Sequence, residues 1–129
     1  MIMDDLTKVV IGCAYEVHNT LGSGFLERVY ENALVKELTS KGLFVQQQQP
    51  ICVFYKGTRV GEYVVDILVE KLLICEIKAV MSIIPMHQVQ LVNYLVATGI
   101  DDGLLINFSQ RVEVKRKYRL FSSQSCKSC

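Results

Sequence analysis

Residues 58–80 read TRVGEYVVDILVEKLLICEIKAV. Two apolar runs meet at Glu70 and Lys71, and each carries charge: Asp66 in the first, Glu76 and Lys78 in the second. Short runs rich in Val and Ile, joined by a few polar residues, read as two strands of a hairpin. Charged side chains are almost never fully buried unless they are paired or bind something. The three charges therefore bear on both the register of the hairpin and the chemistry of the chain.

Side chains alternate between the faces of a strand. Val64, Asp66 and Leu68 are expected on one face, and Ile74, Glu76 and Lys78 share a face of the next strand. If Asp66 lies opposite Glu76, the pairs run 67 with 75, 68 with 74 and 69 with 73, and Glu70, Lys71 and Leu72 form a three-residue loop. A two-residue loop would pair Asp66 with Cys75 and turn Glu76 to the other face, and the spacing permits both. In the first register two carboxylates and an amine converge on one patch. Carboxylates at close range repel, and one stays protonated unless a cation neutralises the pair. A hard divalent ion with oxygen ligands meets that need, and Mg²⁺ keeps waters that a substrate phosphate can replace. A nearby Lys can orient a water or neutralise charge on a transferring phosphate.

Outward from the hairpin the period changes. Leu6, Val9, Val10, Cys13, Ala14, Val17 and Leu21 recur at helical spacing over 4–20, and LGSG at 21–24 ends that helix. A second helix begins near Phe25 with Leu26, Val29, Tyr30, Ala33, Leu34 and Leu38 as its stripe and Gly42 as its stop. Residues 43–55 read as extended structure that Pro50 disturbs, and Lys56-Gly57 turns the chain. Residues 85–99 read as a helix with Pro85 in the first turn and Gly99 at the end. GLLINF (103–108) and VEVKRKYRL (112–120) are expected strands. The helix between the third and fourth strands predicts a parallel join in a mixed sheet covered by helices.

The chain has 129 residues, half of them hydrophobic, which is enough for one cored domain, expected over 1–121 with a loose tail at 122–129. Fourteen basic against thirteen acidic residues give a net charge of +1, which neither marks nor excludes a nucleic-acid binder. The start, MIMDDLTKVV, has acids where a signal peptide is basic, and charges interrupt the apolar region 63–80, so no membrane span is expected. Five cysteines is an odd count, with Cys13, Cys52 and Cys75 in apolar surroundings. A reducing cytoplasm is the expected compartment.

Asp66-x9-Glu76-Ile77-Lys78 resembles the signature of the PD-(D/E)XK nuclease superfamily. The element order resembles its αβββαβ core, a restriction-endonuclease-like α/β fold with a mixed central sheet flanked by helices, here with an extra N-terminal helix. Gly24-x-x-Glu27-x-x-Tyr30 is similar to the signature of the small GxxExxY branch, and Gln90-x-x-x-Tyr94 resembles the QxxxY motif of exonuclease-like members. Val65 stands where the superfamily pattern has Pro.

The resemblance implies a metal-dependent nuclease that hydrolyses phosphodiester bonds of nucleic acid. It favours DNA over RNA, with Mg²⁺ as the cofactor and Mn²⁺ as a substitute. By the same resemblance Asp66 and Glu76 ligate the metal, the Ile77 backbone carbonyl adds an oxygen, and Glu27 reaches the metal directly or through water. Lys78 would act on the nucleophilic water. Gln90 and Tyr94, four apart on one helix face, and His87 three before Gln90 would contact the phosphate or position Lys78. The small size points to a homodimer or a larger partner for substrate grip.

Each residue also has a plainer reading. Glu76 and Lys78 could be an ion pair at a half-exposed sheet edge, Glu27 a solvated helix residue near a positive N-terminus, His87 a polar helix-start residue, and Tyr30 core. Lys115, Lys117 and Arg119 alternate onto one face and could follow a nucleic-acid backbone, or serve as charges that protect a sheet edge. Cys126-x-x-Cys129 lacks the two further ligands of a zinc site. The chain could also be a non-catalytic nucleic-acid-binding or regulatory subunit on a nuclease fold. An inactivated site is expected to have lost Asp66, Glu76 or Lys78, and all three are present.

Overall fold

The structure, a computed structural model, describes residues 2–119. The expected tail and Cys126-x-x-Cys129 lie outside the described residues. The order is α1 (Met3–Leu21), α2 (Glu27–Ser40), β1 (Val45–Tyr55), β2 (Thr58–Val69), β3 (Leu73–Lys78), α3 (Pro85–Thr98), β4 (Asp102–Phe108) and β5 (Val112–Tyr118).

The five strands form one sheet in the order β1-β2-β3-β4-β5. All neighbours are antiparallel except β3 and β4, which run parallel because α3 carries the chain back between them. The helices split between the two faces. Leu6, Val10, Cys13, Ala14 and Val17 of α1 and Tyr30, Leu34 and Leu38 of α2 pack with Ile67, Val69, Leu73, Cys75 and Ile77. Leu91, Tyr94 and Leu95 of α3 pack with Ile74, Leu105, Ile51 and Val65 on the other face. With both faces covered, β3 and β4 must be apolar almost throughout, which is why LLIC and LLI read as continuous runs. Gly103 allows the close approach of α3, since a Cβ there would lie 2.9 Å from a Leu91 methyl.

Tyr30 ties the loop before α2 to the core. Its ring stacks on Phe108 at 4.7 Å, and its hydroxyl donates to the Gly22 carbonyl at 2.6 Å while accepting the Phe25 N–H. Such a stack adds about 1 kcal/mol beyond area burial. It fixes the start of α2, and with it Glu27.

The hairpin takes the expected register: Ile67 pairs with Cys75, Leu68 with Ile74 and Val69 with Leu73 around a loop of Glu70, Lys71 and Leu72. Glu70 and Lys71 sit at φ 54° and 57°, a left-handed pair that costs about 1 kcal/mol or more per residue. Phe44 offsets this: Glu70 donates its N–H to the Phe44 carbonyl, its carboxylate accepts the Phe44 N–H, and Lys71 lies over the ring.

Three expectations need correction. Pro50 pairs with Val64 without interrupting β1, which is an edge strand where a missing N–H costs little. The strand is irregular instead at Gln48, with φ 54°, and between Val53 and Phe54, where the register shifts. Strict alternation also fails through Asp66. Ile67 and Val69 face α1 and α2, yet Val65 packs with the α3 cluster, so Val64 and Leu68 do not share a face. Cys13 and Cys75 are buried as expected, whereas Cys52 is only half-buried on the edge strand.

Candidate active site

The β2–β3 ladder stops at Ile67 and Cys75, one step short of Asp66 and Glu76. Beyond that point β3 stays with β4 as far as Lys78, and β2 stays with β1. Side chains bridge the strands where the ladder ends. Glu76 Oε2 accepts the Asp66 backbone N–H at 2.7 Å, and Asp66 Oδ2 accepts the Ile77 N–H at 2.8 Å. The crossed pair holds two carboxylates of like charge side by side at the parting of two strands.

Their surroundings do not neutralise them. Glu76 is buried, and burial, followed by repulsion from Asp66, pushes its carboxyl up to about 8. Burial also raises Asp66, against the pull of the Ile77 N–H. Glu27, the first residue of α2, is raised by burial as well; Lys78 opposes that rise while Asp66 and Glu31 add to it. Lys78 lowers all three, so one ammonium faces three carboxylates. Tyr94 on α3 is pushed up to about 12 by burial and then by the charges of Glu76 and Asp66. The field of the site thus joins β2, β3, α2 and α3.

Residues 4–118 match the family model of the PD-(D/E)XK nuclease superfamily. The chain belongs to that superfamily. Among solved structures, the crystal structure of SSO0001 superposes with a TM-score of 0.59 at 16% identity over 74% of this chain. That likeness shows the fold alone, and this chain spans 50% of that one. No curated protein matches the chain.

Within this PD-(D/E)XK domain the other expected residues are placed unequally. Ile77 presents its N–H to Asp66, while its side chain lies in the core beneath α1 and α2. Gln90 is half-buried on α3, one turn before Tyr94, and Tyr94 packs at 5.6 Å against Tyr63. His87 Nδ1 accepts the Ile84 N–H and closes the start of α3, which is the plainer of its two readings. Lys115 lies across Leu105 from Glu76, two strands away and about 10 Å along the sheet. Lys117 is half-buried, and Arg119 is held by Asp101 at 2.8 Å, so the row is not a uniform free stripe. Among the described residues no three His, Cys, Asp or Glu side chains stand close enough to form a ready-made metal cage, and none of the helices is long and apolar enough to cross a membrane.

Three polar residues of the PD-(D/E)XK domain were not anticipated. Asn107 is fully buried in β4, directly opposite Lys78. Its amide accepts the Val80 N–H at 2.9 Å and donates to the Val80 carbonyl at 2.8 Å and to Glu113. It therefore fixes the chain just past Lys78. Glu31 is buried one turn after Glu27, and Gln48 links it to Asp66. Asn107 carried the same signal as Glu76, a polar residue inside an apolar strand. Glu31 carried the i, i+4 spacing from Glu27.

An open groove of about 510 Å³ lies elsewhere, between α1 and α2, lined by Lys8, Gly12, Cys13, Glu16, Glu37 and Lys41. Its charges are mixed, and the raised carboxylates mark the better candidate.

Proposed function

We propose that this chain is a metal-dependent nuclease of the GxxExxY type, a phosphodiesterase that cuts nucleic acid, with DNA favoured over RNA. The observation that carries the reading is the crossed pair of hydrogen bonds that keeps the Asp66 and Glu76 carboxylates together where β2 and β3 part. A stable fold has no use for a buried carboxylate, Glu76, set beside a half-buried one, Asp66, without a cation.

The donor set fits a hard divalent ion. It consists of carboxylates, without thiol or imidazole, and each is raised toward protonation by burial that a cation would offset. Asp66 and Glu76 would hold Mg²⁺, or Mn²⁺ in its place, with Glu27 and the Ile77 carbonyl as further oxygens. A bound ion of this kind supplies Lewis-acid stabilisation of charge on the phosphate.

The chain's own groups then divide the remaining work. The Lys78 ammonium would orient the attacking water and balance phosphate charge. Tyr94, whose hydroxyl stays protonated at neutral pH, would donate a hydrogen bond rather than take a proton. Gln90 would hold the phosphate from the same helix face, and Asn107 would keep Lys78 in place from behind. Lys115 and Lys117, with Arg119, would meet the backbone of the nucleic acid beyond the site. We place the protein in a reducing cytoplasm, acting as a homodimer or with a larger partner.

The test is cleavage of labelled single- and double-stranded DNA and RNA with Mg²⁺, Mn²⁺ or EDTA, using wild type, Asp66→Ala and Lys78→Ala. Metal-dependent cutting that both substitutions abolish is expected. Tight binding of nucleic acid without cleavage under any metal would leave the non-catalytic binding subunit as the better account.

A further inference from the structure

The run Gln46 to Gln49 lies opposite the strand that carries Asp66. Gln47 pairs with Ile67 and Gln49 with Val65, so Gln48 stands across from Asp66 itself. In a regular strand consecutive side chains point to opposite faces. Gln47 and Gln48 break that rule, because both amides reach Glu31 on α2. Gln47 Nε2 donates to Glu31 at 2.6 Å and to Asn32 at 2.7 Å. Gln48 Nε2 lies 2.9 and 3.1 Å from the two Glu31 oxygens and 3.4 Å from Asp66 Oδ1.

The left-handed φ of 54° at Gln48 turns the second amide to the side of the first. The same kink coincides with the slip in alternation at Val65 and Asp66 on the neighbouring strand. Backbone strain at a residue other than Gly persists only where the surroundings over-determine it. Two neighbours over-determine it here. Glu31 is 1% exposed and needs donors for a carboxylate removed from water. An amide nitrogen has two protons, so one can serve Glu31 while the other is aimed at Asp66 Oδ1. Oδ2 of the same carboxylate is already held by the Ile77 N–H. With a donor at each oxygen, the Asp66 carboxylate cannot turn about its last torsion.

We propose that Gln48 is a positioning residue, whose strained backbone sets one amide between buried Glu31 and Asp66 and so fixes the face that Asp66 offers to a metal. The inference rests on the reading of Asp66 as a metal ligand, but its first readout needs no metal.

Gln48→Gly and Gln48→Asn both tolerate the left-handed region. The first removes the amide, and the second withdraws it by one methylene. Thermal unfolding, amide hydrogen exchange in EDTA and calorimetric Mn²⁺ titration would be compared with wild type. The expected result is a Tm within a few degrees of wild type and Ile77 N–H exchange faster by roughly five-fold, the worth of one ordinary hydrogen bond. Exchange at Leu104 and Ile106 should stay unchanged, and Mn²⁺ affinity should be weaker by about ten-fold, the usual effect of losing a partner of a metal ligand. Wild-type Ile77 exchange and wild-type Mn²⁺ affinity in both variants would overturn the proposal. So would a Tm loss with all core amides exchanging faster together, since the amide would then be scaffold only. If wild type binds no Mn²⁺ while Ile77 exchange still accelerates in the variants, the metal-site reading falls and the positioning of Asp66 by Gln48 stands.

Discussion

Two charged clusters lie at opposite ends of the β3–β4 pair. At one end Arg116 binds Asp4 at 3.0 Å and Asp102 at 3.1 Å and lies over the Tyr118 ring. Asp102 pairs in the ladder with Leu73, the first residue of β3. At the other end, around Lys78, three carboxylates are raised by burial and then by neighbouring carboxylates, Glu31 among them, and no ion pair among the described residues joins Lys78 to any of the three. In the first cluster a cation touches its anions directly, although its buried Nε has no hydrogen-bond partner among the described residues. In the second the three carboxylates make no ion pair among the described residues; Asp66 and Glu76 accept backbone N–H groups, and the Gln48 amide reaches Asp66. A matched cluster is explained by folding; an unmatched one, kept at a cost to the fold, points to a ligand.

The largest expected effect separates the two ends by activity. Asp66→Ala, Glu76→Ala or Lys78→Ala should reduce cleavage by about a thousand-fold or more, the range seen when charge-stabilising or acid–base groups are removed. Arg116→Met should leave the rate per folded molecule within a few-fold. Equal losses at both ends in a gel assay would abolish the distinction.

Stability should move in the opposite sense. Glu76→Gln can still accept the Asp66 N–H while removing a repelled charge, so the metal-free protein should gain about 1–2 kcal/mol in urea unfolding. Arg116→Met strands Asp102, whose side chain is 12% exposed, and should cost about 1–3 kcal/mol. A Glu76→Gln variant less stable than wild type in EDTA would mean that the carboxylate is structural after all.

The same contrast explains what could be read in the sequence. The register of the hairpin was legible only as one of two, since the spacing of Asp66 and Glu76 allows a two- or a three-residue loop, and the pairing of Ile67 with Cys75 decides between them. The helices followed from stripes at Leu6 to Val17 and at Tyr30 to Leu38, and the parallel join from the helix set between two apolar strands. Gln48 was illegible because its conformation is not a preference of glutamine. It follows from two partners, Glu31 and Asp66, that are distant in sequence and meet only in the fold. Arg116 was hidden for a related reason: among the four cations of residues 115–119, nothing local marks the one that Asp4 and Asp102 select.

The pH response sharpens the comparison at the unmatched end. Glu76 stands near 8 in the folded chain against an ordinary 4.5. Between those values the folded protein holds a proton that the unfolded chain has released. Stability in EDTA is therefore highest below about pH 4.5 and falls as pH rises toward about 8. Asp66 and Glu27 are raised too and act with the same sign. Tm measured by calorimetry should decline from about pH 5 to about pH 8, and Glu76→Gln should flatten the slope. A Tm that climbs over this window, unchanged in Glu76→Gln, would remove the unbalanced charge from the account.

The smallest effect lies on β5, where matched and unmatched charges stand side by side. Arg119 is bound to Asp101, whereas Lys115 and Lys117 make no ion pair among the described residues. A cation already held by a carboxylate has less charge to offer a phosphate. Lys115→Ala and Lys117→Ala should each lower affinity for labelled DNA a few-fold at low salt, and each should reduce the slope of log K against log salt by about one. Arg119→Ala should change that slope by less. Fluorescence anisotropy across a salt series separates the cases, because the slope counts phosphate contacts whatever the absolute affinity. If Arg119→Ala costs a full contact, Asp101 yields its cation to the substrate, and matching by an ion pair does not remove a surface charge from function. If all three slopes stay at the wild-type value, the nucleic acid does not cross β5, and the carboxylates at the parting of β2 and β3 must be reached from another side.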